Sequence, residues 1–297
     1  MLPARHILRQ GPVVRSLGGT AMTALLQRVR RLPPRPAALP APAIDTVVPP
    51  PSAELVRDYL RNVGGDPAAY RGVLPPHLFP HWGFPLAART LRDLPYPLLR
   101  VLNGGCRLEV RAPLPAGEPL HVSARLESID DDGRRVVLCQ RVTTGPASDP
   151  ESLIAHLYAI VPLEKKSGAT RAPARVPPTA RELAYWTLPA DAGLAFAMLT
   201  GDFNPVHWIH RYARASGFRG VILHGFATMA RAIEGLHRAR AAAPGQLRTF
   251  DCRFTRPLIL PARVGLYTAA PDRVWVGDAP GGPAYLTGTF AYQGDPS

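Results

Sequence analysis

The sequence predicts an α+β protein built from two copies of one plan, in which a helix is followed by a curved antiparallel sheet that wraps around it. Three observations lead to this prediction. Helical periodicity in the first part of the chain changes to a period of two from Asn103 onward. The same succession recurs after a charged, proline-rich stretch. The 297 residues, of which 46% are hydrophobic, are enough to bury two cores.

The first half begins with a short strand over Ile44–Val48, which three prolines stop. Ser52 is a typical N-cap, and the apolar spacing after it predicts a helix over Ala53–Val63. A second helix is expected near Leu86–Leu94, after a segment punctuated by prolines. Alternating apolar residues then predict four antiparallel strands, with a hairpin turn at Asp130–Gly133. These strands are Arg107–Arg111, Leu120–Ile129, Arg134–Thr144 and Ser152–Pro162.

The second half repeats this succession with a strand at Arg181–Leu188, a short helix at Ala190–Thr200 and a helical turn at Arg211–Ser216. A longer helix is expected over His224–Arg240, because apolar residues recur along one of its faces. These inward residues are Phe226, Met229, Ile233 and Leu236. Four strands follow at Arg248–Arg256, Ala262–Ala270, Arg273–Asp278 and Ala284–Tyr292. Identity between the halves is low, so the repeat is architectural, and the plan is typical of a double hotdog fold.

The element order predicts four segments of the chain. Residues 1–43 form a flexible, basic and proline-rich extension, 44–164 the first hotdog, 165–180 a linker and 181–297 the second hotdog. Residues 1–44 contain seven arginines and no acidic residue, which is also typical of a mitochondrial transit peptide. The extension is the preferred interpretation, because arginine richness continues throughout the chain.

Composition argues against several classes of function. The net charge of +13 comes almost entirely from scattered arginines without an RNA-binding aromatic motif, so a nucleic-acid partner is not expected. No apolar run approaches the length of a membrane span. Cys106, Cys139 and Cys252 are far apart and odd in number, which predicts neither a disulfide framework nor a zinc site. A reducing, cytoplasmic location is therefore expected.

The segment from Leu199 to His207 concentrates polar chemistry around a glycine and a proline. Gly201 tolerates unusual backbone angles, and Pro205 favours an extended residue before it, so the segment predicts a stiff loop rather than a helix. The loop presents Asp202, Asn204 and His207. A carboxylate beside an imidazole is a competent pair for moving protons near pH 7. On spacing alone, a simple turn is the commoner interpretation of such a segment.

Two further motifs follow this loop. The segment from Gly201 to His207 reads G-D-F-N-P-V-H, and it is followed by A-x3-G-F-R-G from Ala213 and by I-L-H-G ending at Gly225. Together they resemble the signature of the MaoC-like dehydratases, the R-specific enoyl-CoA hydratases also called hydratase 2. The resemblance covers roughly Val48 to Tyr292 and is that of the two-domain, double-hotdog type. It implies a hydro-lyase that hydrates 2-trans-enoyl thioesters of CoA or acyl carrier protein, and dehydrates (3R)-hydroxyacyl thioesters in reverse.

The resemblance also implies roles for individual residues. Asp202 and His207 would hold and activate the water, and Asn204 would orient the pair. The backbone N–H of Gly225, at a helix start, would donate to the substrate oxyanion. The remaining substrate contacts would come from Phe203, Pro205, His224 and Phe226, with His224 bracing the loop rather than reacting. The first half would contribute no chemistry, since it lacks the acid and imidazole of the motif.

No cofactor or metal is expected. A zinc site at His207, His210 and His224 is disfavoured because no cysteine joins them. His210 stands where many family members have Asp, and His77 and His81 are expected in the core or in a tunnel wall. Two other functions use the same fold: a thioesterase, and a non-catalytic subunit that binds acyl thioesters. The two halves would pair as a pseudo-dimer within one chain, and a homodimer of such chains stays an open alternative.

Overall fold

One antiparallel sheet of ten strands runs through the computed structural model, which describes residues 5–6, 38–92, 94–98, 101–163, 173–241 and 247–295. The first half supplies strands β1 (Ile44–Val48), β3 (Leu102–Val110), β5 (Leu120–Asp131), β6 (Arg135–Gly145) and β7 (Leu153–Pro162). The second half supplies β8 (Arg181–Leu188), β9 (Leu247–Phe254), β10 (Ala262–Ala270), β11 (Arg273–Gly277) and β12 (Ala284–Tyr292). The short strands β2 (Val73–Leu74) and β4 (Leu114–Pro115) form a separate pair.

The strand order shows the predicted repeat directly. It runs β1-β5-β6-β7-β3-β9-β12-β11-β10-β8, so each half contributes the same arrangement and the two meet at the β3–β9 pair. Cys106 and Cys252 lie opposite each other in that pair, and the register around them is symmetric. A pseudo-two-fold axis therefore passes between these cysteines. The double hotdog predicted from the sequence is confirmed, and its two half-sheets pair within one chain.

Five helices accompany the sheet in the described residues. They are α1 (Ala53–Val63), α2 (Pro80–Thr90), α3 (Ala192–Thr200), α4 (His210–Ala215) and α5 (Gly225–Arg240). The longest, α5, lies inside the second half-sheet, and its predicted inward residues Phe226, Met229, Ile233 and Leu236 are all buried. Each of the predicted strands occurs, four of them with the predicted bounds and the others with ends shifted by one to five residues. None of the helices in these ranges is long and apolar enough to cross a membrane.

The second helix of the first half lies earlier than the sequence predicted. Helix α2 starts at Pro80 and ends at Thr90, whereas the prediction placed it near Leu86–Leu94. Two of the four prolines that suggested an irregular entry, Pro80 and Pro85, are part of the helix itself. Proline at the first helical position loses no hydrogen bond, since that N–H has no acceptor inside a helix. Pro85 lies inside the helix as well, where it has no N–H to donate to the carbonyl one turn earlier.

Parts of the predicted extension and linker pack on the folded halves. Arg5 and His6 lie against helix α1, where the His6 Nε2 is 2.7 Å from an Asp58 carboxylate oxygen. The His6 side chain is buried. The predicted linker from Lys165 falls outside the described residues as far as residue 172. Beyond that point, the buried Val176 donates its N–H to the Gly282 carbonyl at 2.9 Å, so this end of the linker belongs to the second half.

We predict that residues 180–297 alone will not form a stable, soluble unit. The cut removes β3, which leaves the β9 edge unpaired, and it uncovers the part of α5 that contacts α1 and the Pro76–Leu78 turn. Size-exclusion chromatography and circular dichroism of the fragment, with the full chain as control, test this. A monomeric fragment with a cooperative melt would contradict the dependence of each half on the other.

Candidate active site

The loop that carries the polar motif is shaped by a left-handed glycine. Helix α3 ends at Gly201, whose φ of 83° favours glycine and whose N–H donates to the Ala197 carbonyl at 2.8 Å. The next residue, Asp202, is thereby turned away from the helix axis. Asn204 is extended before Pro205, and its side-chain oxygen accepts from the Val206 N–H at 3.3 Å. The segment predicted as a plain loop therefore contains a capped 3₁₀ turn, Pro205–His207.

The Asp202 carboxylate is held beside the imidazole of His224. One carboxylate oxygen accepts from the Asn204 N–H at 3.3 Å, and the other lies 3.8 Å from His224 Nε2. That nitrogen donates to the Asp202 backbone carbonyl at 2.9 Å. His224 is only 1% exposed, whereas 19% of the Asp202 side chain is accessible. His224 thus braces the loop from the protein side, and Asp202 keeps a face toward solvent.

His207 is oriented by a single backbone contact. Its Nδ1 lies 2.8 Å from the Ile222 carbonyl oxygen, so this nitrogen carries the proton and Nε2 keeps a free lone pair. The ring stacks on that of His224, with centroids 3.5 Å apart. Burial lowers the pKa of His207 below its ordinary 6.5, although the nearby Asp202 carboxylate opposes the shift. His207 is therefore neutral at pH 7, with one nitrogen ready to accept a proton.

The start of helix α5 adds hydrogen-bond donors to the site. The His224 carbonyl accepts from the Ala227 N–H at 3.1 Å and the Thr228 N–H at 3.2 Å. The N–H groups of Gly225 and Phe226 have no acceptor among the described residues, as is usual at a helix start. The positive end of the helix dipole lies at the same place. This end of α5 can therefore stabilise a developing negative charge.

Gly225 is also required by packing. A Cβ atom at this position would lie 2.6 Å from the Phe254 ring, so any other residue would displace that ring. The Phe226 ring is buried among aromatic rings: Phe84 at 4.9 Å and Phe79 at 5.6 Å from the first half, and Phe254 at 5.8 Å. The first half therefore supplies part of the wall beside the site.

The structure brings most of the predicted site residues together and adds others. Phe203 and Pro205 are half-buried on the same loop as Asp202, and the Trp208 Nε1 fixes the loop by donating to the Phe203 carbonyl at 3.2 Å. His210 is exposed at the start of α4.

Two contributors were missed by sequence reasoning: the Ile222 carbonyl and the Phe254 ring. A third, His81, was expected in the core or in a tunnel wall, and its contact with the loop was not predicted. His81 reaches from α2 to the backbone of Leu199 in the last turn of α3, and burial lowers its pKa to about 4. No sequence signal links residues so far apart.

The same side chains have the composition of a small metal site. One ligand atom each from Asp202, His207 and His224 lie within 4.8 Å of one another. However, the His224 nitrogen that faces Asp202 donates to a carbonyl and therefore carries a proton, and His207 Nδ1 does the same. These hydrogen bonds favour an acid–base arrangement, with one free imidazole nitrogen beside a carboxylate.

The part of the chain that contains this site is similar to a known protein family. A model described as the MaoC like domain matches residues 170–274. The chain is 34% identical over 141 residues to enoyl-CoA hydratase ChsH3 of Mycobacterium tuberculosis, which covers 44% of this chain and 47% of that protein. It is 38% identical over 80 residues to 3-hydroxyacyl-thioester dehydratase X of the same organism, which covers 27% of each. The chain thus aligns with less than half the length of either relative.

Solved structures agree on the fold. The chain resembles HtdX of Mycobacterium tuberculosis with a TM-score of 0.67 at 20% identity, over 83% of this chain and 99% of that one. It also resembles a protein of that organism described as having a double hotdog fold, with a TM-score of 0.56 at 15% identity, over 84% and 95% of the two chains. These likenesses establish the double hotdog architecture.

We predict that the stability of the protein falls as the pH falls from about 6.5 toward 4. Burial, with the neighbouring His207, lowers the pKa of His224 to about 3, and burial lowers that of His237 to about 4. Because these folded-state pKa values lie below the ordinary 6.5, the unfolded chain binds protons first and is favoured in that range. Urea unfolding at a series of pH values measures the slope.

His224→Gln should make this pH dependence shallower, because its amide can still donate to the Asp202 carbonyl while the buried titrating group is removed. His210→Gln, at an exposed position, is the matched control and should leave the slope unchanged. Equal slopes in all three proteins would show that His224 does not control acid stability.

Proposed function

We propose that this chain, whose C-terminal half is a MaoC-like domain, catalyses the reversible hydration of 2-trans-enoyl thioesters, with dehydration of (3R)-hydroxyacyl thioesters as the reverse reaction. The observation that carries the proposal is the neutral His207, which lies in one cluster with Asp202 and His224 near the start of helix α5 and whose Nε2 is left free by the hydrogen bond of Nδ1. The names of the aligned relatives, an enoyl-CoA hydratase and a 3-hydroxyacyl-thioester dehydratase, support the same reaction class.

Water addition needs a base for the water and a proton for carbon C2 of the acyl group. We propose that Asp202 and His207 hold one water between them, and that His207 Nε2 accepts its proton as the oxygen bonds to C3. The π electrons then move toward the thioester as an enolate, and C2 takes up a proton from the same pair. Asn204 contributes through the capped turn that sets the directions of both side chains.

The enolate oxygen would be stabilised at the start of α5. The N–H of Gly225 is proposed as the donor, since it has no acceptor among the described residues and stands at the positive end of the helix. His224, the residue before this helix, ties the helix start to the Asp202 backbone through its side chain. Donors fixed before the substrate arrives need no reorganisation during the reaction, which is why such sites contribute strongly to rate.

Substrate contacts are proposed for the residues around this centre. Phe203 and Pro205 would touch the acyl thioester from the loop, and Phe226 from the helix, with the aromatic wall of the first half behind it. The thioester would be carried by CoA or by acyl carrier protein. We propose a cytoplasmic location, which the free cysteines Cys106, Cys139 and Cys252 support.

Two assays separate the proposal from the other functions that use this fold. Hydration of crotonyl-CoA, followed by the loss of enoyl-thioester absorbance, is expected for a hydratase. A thioesterase would instead release a free thiol, which a thiol reagent detects. A non-catalytic binding subunit would do neither, and its ligand would be recovered unchanged.

Asp202→Asn and His207→Gln should each lower turnover by about two to four orders of magnitude, the range for general acid–base groups. Both side chains keep an accessible face, so the melting temperature should change little. Steady-state kinetics with crotonyl-CoA measures the effect. His210→Gln is the matched histidine control, because it lies three residues further on and is exposed. Retention of more than roughly a tenth of the activity in either variant would refute the assignment.

Gly225→Val should lower turnover by about two orders of magnitude or more, comparable to the loss of one oxyanion donor. It should also lower the melting temperature, because the new side chain displaces the Phe254 ring. Gly225→Ala combined with Phe254→Leu is the control, because both variants keep the N–H but the smaller residue 254 makes room for the methyl group. A Gly225→Val protein that is unstable but has normal turnover per folded molecule would move the donor role to another amide, such as that of Phe226.

A further inference from the structure

The first half contains the backbone plan of the candidate active site without its reactive side chains. Helix α1 ends at Gly64 with a φ of 83°, the same value as Gly201 at the end of α3. A capped 3₁₀ turn with proline in first place follows each glycine. In the first half, Asp66 accepts from the Ala68 N–H at 2.9 Å, as Asn204 does from its own turn.

A histidine precedes the central helix in both halves. His77 lies in the Pro76–Leu78 turn, three residues before the start of α2, and His224 directly precedes α5. Each is followed two residues later by a phenylalanine. These two phenylalanines, Phe79 and Phe226, contact each other at 5.6 Å. His77 packs on Tyr59 at 5.5 Å, and His224 on Phe196 at 5.0 Å. Both aromatic residues stand five positions before the glycine that ends their helix, 59 to 64 and 196 to 201. The pseudo-two-fold axis therefore relates the two constellations.

The reactive positions differ between the copies. Asp202 follows Gly201 directly, and the residue that follows Gly64 is Gly65. His207 is the second residue after Pro205, and the second residue after Pro67 is Ala69. The first loop is one residue shorter between its glycine and its proline. The first copy thus lacks the loop carboxylate and the loop imidazole, and it has the histidine that precedes the helix.

In the first half, a carboxylate from the second half lies beside Gly65, where the loop itself supplies none. A Cβ atom on Gly65 would lie 2.7 Å from the carboxyl carbon of Glu234, a residue of helix α5. A Glu234 oxygen lies 2.8 Å from His77 Nε2 and accepts from the Tyr70 hydroxyl at 2.5 Å. Tyr59 completes the cluster, because its hydroxyl lies 3.0 Å from His77 Nδ1. All of these side chains are buried.

We propose that this cluster is a second, closed copy of the site, in which Glu234 replaces the loop carboxylate and fastens helix α5 to the first half. Both clusters pair a carboxylate with the histidine that precedes the central helix. In the first half this carboxylate comes from helix α5 instead of from the loop. A buried pair of this kind is strongly destabilising when one partner is removed, since the other is left uncompensated. The proposal does not depend on the hydratase activity, because it rests on the geometry of the two copies.

A double-variant cycle tests this origin. Glu234→Ala should lower the melting temperature by roughly 6–20 °C, the size expected when one partner of a buried, hydrogen-bonded carboxylate–imidazole pair is removed from a chain of this length. Gly65→Asp alone should also destabilise the protein, because its side chain would collide with the Glu234 carboxyl group. Combined, the two changes should recover at least half of the loss caused by Glu234→Ala. Gly65 has no left-handed φ that would strain a side chain.

Gly117→Asp in the Glu234→Ala background is the matched control, because it adds a carboxylate where nothing lies within 4 Å. It should recover nothing. A Gly65→Asp/Glu234→Ala protein no more stable than Glu234→Ala alone would overturn the proposal. If Glu234→Ala does not fold by itself, the soluble yield of the two double variants gives the same decision. Thermal unfolding needs no thioester substrate, so a failed hydratase assay leaves this test intact.

Discussion

The antiparallel pairing of β3 with β9 fixes where everything else in the molecule can lie. The hydrogen-bonded ladder continues from one half-sheet into the other. The starts of the two central helices, α2 and α5, therefore lie close together near the pseudo-two-fold axis. Phe79 of the first half and Phe226 of the second then meet edge to face, at 81° between their rings. The start of α5, where the candidate oxyanion donor lies, is packed against the other half for this reason. A site on one hotdog thus depends on a wall that belongs to both.

Desolvation sets the protonation of that site. Burial is the largest cause of the lowered pKa of both His207 and His224, and for each it outweighs the nearby Asp202 carboxylate. Two stacked imidazoles beside one carboxylate would carry unfavourable charge if both were protonated. Their neutral forms let each ring donate one N–H to a backbone carbonyl, and those carbonyls then decide which nitrogen stays free. The burial that lowers acid stability is the same burial that keeps a base available at neutral pH.

Local sequence patterns were enough to predict most of the fold and part of the candidate site. Alternation located each strand of the ten-stranded sheet, and helical spacing located α5, because both features depend on which side of one element is buried. The separate pair of β2 and β4 was not predicted. Helix α2 was placed wrongly, since prolines at positions a helix can accept look like loop residues when read alone. The Asp202 loop was found from its glycine and proline. The contacts of Ile222, Phe254 and His81 with the site form only when distant segments of the chain meet, so no local sequence pattern predicts them.

The two pre-helix histidines show what each half does with the same backbone plan. His77 has partners on both ring nitrogens, Tyr59 and Glu234, whereas the buried Nδ1 of His224 has no partner among the described residues. An unpaired buried polar atom lowers stability, and native proteins tolerate such atoms mainly where function requires them. On this argument the first half has used its copy of the loop to strengthen the junction with α5. The second half has kept an incompletely paired cluster that can still accept a proton, and it relies on the first half for the stability that this arrangement lacks.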